Sequence, residues 1–128
     1  MLPRGNPKRE GFNPSEPLVV AGMFRTANGL GQAARLGIHA LKRQGYNPIA
    51  VDLSDILNQI DGHSEDALQK MPSGSGGTLV LHANAPETRI ALQALGLRRW
   101  HNWRIIGYWA WELSEPPKEW LSIAEHLD

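Results

Sequence analysis

The run Leu18-Val19-Val20-Ala21-Gly22-Met23-Phe24 follows Pro17 and gives way to a polar loop. An unbroken apolar run of this length suits a strand buried on both faces, as in parallel sheets. Apolar and small residues then recur at helical spacing (Leu30, Ala33, Ala34, Gly37, Ile38, Leu41), predicting a helix that stops near Gly45. Residues 47–52 read as a second short strand. Leu53, Ile56, Leu57 and Ile60 repeat at i, i+3, i+4 and i+7, predicting a helix broken at Gly62, with a lesser helical piece over 65–71. After the Pro72–Gly77 turn, residues 78–83 form a third apolar strand. Pro86 suits the first turn of a helix whose stripe is Ile90, Ala94 and Leu95, with Gly96 at its end. Residues 103–109 predict a fourth strand. A last helix begins near Pro117 and carries Trp120, Ile123, Ala124 and Leu127 on one face.

Four strands alternating with helices define an α/β domain, and right-handed crossovers make its sheet parallel. The expected fold is a Rossmann-like doubly wound parallel sheet of about four strands with flanking helices. Residues 18–128 are expected to form that domain, and 1–17, with Pro3, Pro7, Pro14 and Pro17, a flexible leader. The simplest order sets the first and third strands side by side at a switch point. Ligands of such sheets bind there, outside the carboxyl ends of the strands. Three segments converge on that edge: residues 25–31, 82–85 and 111–115.

Composition narrows the classes. Thirteen basic and thirteen acidic residues cancel, which argues against attraction to bulk nucleic acid. Cysteine is absent, excluding disulfides and thiolate metal sites. No apolar run is long enough to span a bilayer. A cytoplasmic protein is expected, with peripheral contact at a membrane surface left open. Arg98, Arg99 and Arg104 form a basic patch near three tryptophans, read as a solvated surface decorated by cation–π contacts.

Each candidate site residue has a chemical and a structural reading. Gly29-Leu30-Gly31 opens a helix directly after a buried strand. Its glycines either let a phosphate approach the helix amides or let the helix pack tightly on the sheet. The pattern Gly29-x-Gly31-x-x-Ala34 with Asp52 also satisfies a loose dinucleotide fingerprint, although the glycines come late after the strand. His82 and Asn84 at the third strand's tip can bond ligand hydroxyls; alternatively Asn84 caps the next helix and His82 is a core histidine. Tyr108 and Ala110 face one side of the fourth strand, Trp109 and Trp111 the other. Those tryptophans suit either sugar stacking or helix-on-sheet core. Glu112 could bind hydroxyls or act as a base, or cap the last helix. Glu115 is a weaker second acid. The histidines show no metal-ligand spacing, and no nucleophile motif is present.

Three segments then carry a resemblance: Gly29-Leu30-Gly31-Gln32-Ala33-Ala34-Arg35; His82-Ala83-Asn84; and Gly107-Tyr108-Trp109-Ala110-Trp111-Glu112-Leu113 with Pro116-Pro117 and Trp120. In order and spacing over 18–128, the chain resembles the amino-terminal domain of the retaining glycosyltransferase family four (group 1-like). The resemblance implies a GT-B enzyme, in which two Rossmann-like domains face a cleft and no cofactor or metal is required. It implies a nucleotide-diphosphate sugar donor and a carbohydrate or lipid-linked acceptor. The turn Asn28, Gly29, Leu30 and Gly31 would approach the donor diphosphate. His82 and Asn84 would line the cleft, and Trp111 and Glu112 would contact the acceptor. His82 and Glu112 are the candidates for catalysis. The carboxy-terminal, donor-gripping domain lies outside these residues, so the 128-residue chain is expected to fold without turning over. Two other readings stay open: a stand-alone Rossmann-like module for a dinucleotide or small ligand, and an interaction domain whose tryptophans mediate association.

Overall fold

The computed structural model describes residues 15–26, 29–57, 70–72, 76–96, 102–109, 115 and 117–127. In chain order they form β1 (Leu18–Gly22), α1 (Gly29–Arg43), β2 (Ile49–Asp52), β3 (Gly77–His82), α2 (Ala85–Leu95), β4 (Trp103–Tyr108) and α3 (Lys118–Ile123), which runs into a 3₁₀ turn, Ala124–His126. The strands make one parallel sheet in the order β2-β1-β3-β4. β1 and β3 are therefore neighbours, and the chain turns to opposite sides from them. The expected switch point is present.

Both faces of the sheet are used, as the apolar β1 run requires. Val20, Ala50 and Phe24 meet Ala34 and Ile38 of α1 on one face. Val19, Ala21, Leu79, Leu81, Trp103 and Ile105 meet Ala91 and Leu92 of α2 on the other. α3 joins that second layer through Trp120 and Ile123, packed with Ala85 and Trp109. α1 ends as its glycine predicts. Gly45 has φ +91°, its amide bonds Lys42 O at 3.1 Å, and the Tyr46 amide bonds Leu41 O at 3.0 Å. That is a Schellman closure, which needs a left-handed residue at the turn.

Several expectations are corrected. β1 stops at Gly22; Met23 and Phe24 stay buried but belong to the turn before α1, where the Thr26 amide bonds Met23 O at 3.1 Å. Of the expected α2 stripe, Leu95 is half-buried against the main core, but Ile90 and Ala94 are exposed. Ile90 is 50% exposed, and Ala85, Thr88, Ala91 and Leu92 face inward instead. Thr88 is tolerated on that inner face because its hydroxyl bonds backbone carbonyls at Ala83 and Asn84. Ala124 is exposed, while Trp120 and Ile123 are buried as expected. After β2, residues 53–57 form a single turn closed by the Leu57 amide on Leu53 O at 3.0 Å; the remainder of that expected helix, and the piece over 65–69, lie outside the described residues. Pro17, assigned to the leader, is joined to the sheet: its carbonyl accepts the Thr78 amide at 2.9 Å.

Candidate functional site at the carboxyl edge of the sheet

Strand register sets one row of residues across the carboxyl edge. Asp52, Gly22, His82 and Tyr108 lie side by side at the ends of β2, β1, β3 and β4. The chain leaves β1 through the 23–26 turn into α1, and leaves β3 through Ala83 and Asn84 into α2. The glycine-rich helix start and the His82–Asn84 tip therefore share one rim. Glu112 and Trp111, the third limb of the expected site, lie outside the described residues, as does Asn28.

The turn before α1 is held by two charged side chains that the sequence reading did not assign to it. Asp52 accepts the Phe24 amide at 3.0 Å and the Ser54 hydroxyl at 2.7 Å on one oxygen. Its other oxygen accepts Arg25 Nε at 2.8 Å. The Arg25 guanidinium also reaches Asp55 at 2.7 Å, and the Arg25 amide bonds Ser54 Oγ at 3.3 Å. Hydrogen bonds to Asp52 and then Asp55 push the Arg25 pKa above its ordinary value. From the opposite side, Arg35 of α1 donates to Phe24 O at 3.0 Å and Thr26 O at 2.9 Å. Both turn carbonyls are thereby satisfied, and the turn is tied to β2 and α1 together.

The two glycines of the helix start differ. A Cβ on Gly31 would overlap Thr26 O and stand 2.7 Å from Met23 O, so this glycine admits the turn's own backbone. A Cβ on Gly29 would meet nothing within 4 Å, and Gly29 is exposed at the rim. Leu30 is half-buried and packs on the main core. Of the two readings of the glycine turn, packing accounts for Gly31, and Gly29 is the one open to an incoming group. Gly22 in the rim row is also constrained: a Cβ there would lie 2.7 Å from the Ala34 Cβ, so α1 sits directly on the end of β1.

His82 is only 6% exposed. It lies on the α1 face, near Gly37, with its ring centroid 4.8 Å from that of Tyr108 and tilted by 36°. Its Nδ1 is buried with no hydrogen-bond partner among the described residues. Leaving such an atom unpaired costs about 1–3 kcal/mol. Burial also disfavours the charged imidazole and lowers its pKa from 6.5. His82 is thus buried like a core histidine but lacks the bonding that makes one comfortable.

Asn84 takes the N-cap position of α2 with an extended backbone, yet its side chain makes no capping bond. Its carbonyl accepts the Thr88 amide at 2.9 Å. Thr88 is fully buried; its hydroxyl lies 3.0 Å from Asn84 O and 3.2 Å from Ala83 O, and accepts Trp109 Nε1–H at 3.2 Å. Trp109 then meets Trp120 edge-on at 5.6 Å. Three of the tryptophans, Trp103, Trp109 and Trp120, are therefore core or core-edge residues of the α2 face. Tyr108 and Trp109 do face opposite sides, as strand alternation predicts. Glu115 is exposed.

Hollows of about 260 Å³ and 460 Å³ lie toward the other end of the strands, beside Leu18, Tyr46 and Thr78 and beside Ser15, Tyr46 and Asn47. Among the described residues no group of three or more His, Asp or Glu side chains is placed to hold a metal, and no helix is long and apolar enough to cross a membrane.

Comparison with known proteins gave no matching family model, no matching curated sequence and no matching solved structure. The glycosyltransferase resemblance rests on the motif residues themselves.

Proposed function

We propose that this chain is the acceptor-side, amino-terminal half of a retaining glycosyltransferase that draws on a nucleotide-diphosphate sugar. The observation that carries the reading is the shared rim. The start of α1 and the His82–Asn84 tip leave adjacent parallel strands at the switch point, where this class of sheet takes its ligands. Of the motif residues, Gly29 and the His82–Asn84 tip lie at that rim, while Ala34, Trp109 and Trp120 pack in the core layers.

The roles follow from the chemistry of each group. A helix start presents amides without intrahelical partners and the positive end of the helix dipole, and α1 has no acidic residue in its first turn. A diphosphate approaching Gly29 meets donors and open space. Asn84 at the strand tip offers its amide to sugar hydroxyls, while His82 lies buried just behind the rim. Trp111 and Glu112 take acceptor contacts through the resemblance alone. Transfer needs both substrates oriented in one cleft, so turnover belongs to this half together with its donor-gripping partner domain.

The dinucleotide reading meets a specific obstacle. In that fingerprint the acid ending the second strand binds a ribose. Here both Asp52 oxygens already accept bonds from Phe24, Ser54 and Arg25. The test is a tryptophan-fluorescence titration of the chain with UDP, GDP, UDP-glucose, GDP-mannose and NAD. Saturable binding of a diphosphate nucleotide or its sugar, weakened by Gly29→Val, is the expected result. Tight NAD binding with no response to the nucleotide sugars would overturn the proposal.

A further inference from the structure

Tyr108 is the one member of the rim row with a large apolar surface left open. It is 49% exposed and shares its face of β4 with Ile106, 42% exposed, while Trp103 and Ile105 on the opposite face are buried. One face of its ring is taken by the His82 imidazole, at 4.8 Å. His82 is 6% exposed and its ring packs beside Gly37 of α1. The phenol is therefore backed by a buried ring and presents its free side outward on the carboxyl edge. Core aromatic pairs satisfy their polar atoms; among the described residues this one holds a buried Nδ1 without a partner. Aromatic faces that are exposed beside a few polar groups are the usual lining of small-ligand sites.

We propose that Tyr108, backed by His82, is the stacking platform for a pyranose ring on the α1 side of the rim. The electron-rich face of the phenol meets the C–H face of the sugar, and the sugar's hydroxyls turn toward the rim's polar groups. This deepens the glycosyltransferase reading and rests on it. The ring stacked there belongs either to the donor sugar or to a carbohydrate acceptor, which share this chemistry and are separable by experiment.

Isothermal titration calorimetry of the chain and of Tyr108→Phe and Tyr108→Leu decides it. Leucine keeps apolar bulk against His82, and a thermal melt of each variant confirms the fold. Four ligand classes are titrated: UDP and GDP; UDP-glucose and GDP-mannose; methyl α-glucoside and methyl α-mannoside; and maltose. A donor subsite predicts that UDP-glucose or GDP-mannose binds more tightly than its bare nucleotide, and that Tyr108→Leu removes about tenfold of that affinity. UDP and GDP stay unchanged, and Tyr108→Phe retains the affinity. An acceptor subsite predicts the same tenfold loss for the free glycosides or maltose instead. Equal sugar affinity in wild type and Tyr108→Leu, with nucleotide sugars still bound, would overturn the platform and leave the glycosyltransferase reading standing. No binding of any nucleotide or sugar by the wild type would remove both.

Discussion

Replacing Asp52 with alanine should damage the protein out of proportion to a carboxylate at the edge of a sheet. The Phe24 amide, in a fully buried residue, loses its acceptor at 3.0 Å, and the buried Ser54 hydroxyl loses its partner at 2.7 Å. A buried amide left unpaired costs about 1–3 kcal/mol and the hydroxyl about 1 more, giving roughly 2–4 kcal/mol. The Arg25 contact is solvent-accessible and adds little. For a domain of this size such a loss lowers the melting temperature by roughly 10 °C. Asp55 is the internal control, because it pairs with the same arginine but its side chain is 74% exposed. Asp55→Ala should leave the melting temperature nearly unchanged. Thermal melts followed by circular dichroism and tryptophan fluorescence measure both. Asp52→Asn should fall between, since it keeps an acceptor for the amide but not the charge. If Asp52→Ala and Asp55→Ala melt together, the carboxylate does not hold the turn, and its availability to a ribose returns.

Three further outcomes follow from the same geometry. Gly31→Ala should cost about 2–3 kcal/mol by forcing its Cβ into the Thr26 and Met23 carbonyls, while Gly29→Ala should stay within about 0.5 kcal/mol of wild type; urea midpoints compare them, and equal effects would contradict the packing role of Gly31. The folded His82 pKa lies below 6.5, so the unfolded chain binds more protons and stability falls with pH below about 6.5. Its share of the slope is at most about 1.4 kcal/mol per pH unit, and His82→Gln should flatten the urea-midpoint profile by that share; an unchanged profile would show that His82 is not the group responsible. Thr88→Val strands the Trp109 indole N–H and should cost about 1–3 kcal/mol with a shifted emission maximum, whereas a variant as stable as wild type would show that the bond contributes nothing.

The sheet was legible because its signals are local. The apolar run of β1, the stripe of α1 and the glycine that closes it are local signals, and all three elements form where expected except that β1 gives up its last two residues to the turn. The face of α2 was not legible. Ile90 is the natural choice for an inward residue, but Ala85, Thr88, Ala91 and Leu92 take that face, with the Thr88 hydroxyl bonded to backbone carbonyls. The Asp52 network was missed for another reason: its partners Phe24 and Arg25 lie 28 and 27 residues away, and no periodicity couples them. The Asp52-x-Ser54-Asp55 cluster was the visible clue, yet an acid at the end of a second strand also fits a ligand role. Alternation set Tyr108 opposite Trp109, but only the register with His82 shows which face it takes and what stands behind it.

The strand order also has a consequence for biosynthesis. β1 leaves the ribosome first, yet it occupies an interior place in the sheet, and its partner on the β3 side is translated only after the whole 23–76 stretch. At ordinary elongation rates that interval lasts seconds. Throughout it, a sticky, uncharged segment rich in branched aliphatics has β2 on one edge and α1 on one face, while its β3 edge and its α2 face stay bare. Nascent chains stalled before β3 is made should therefore be the ones that chaperones hold and that aggregate when released early.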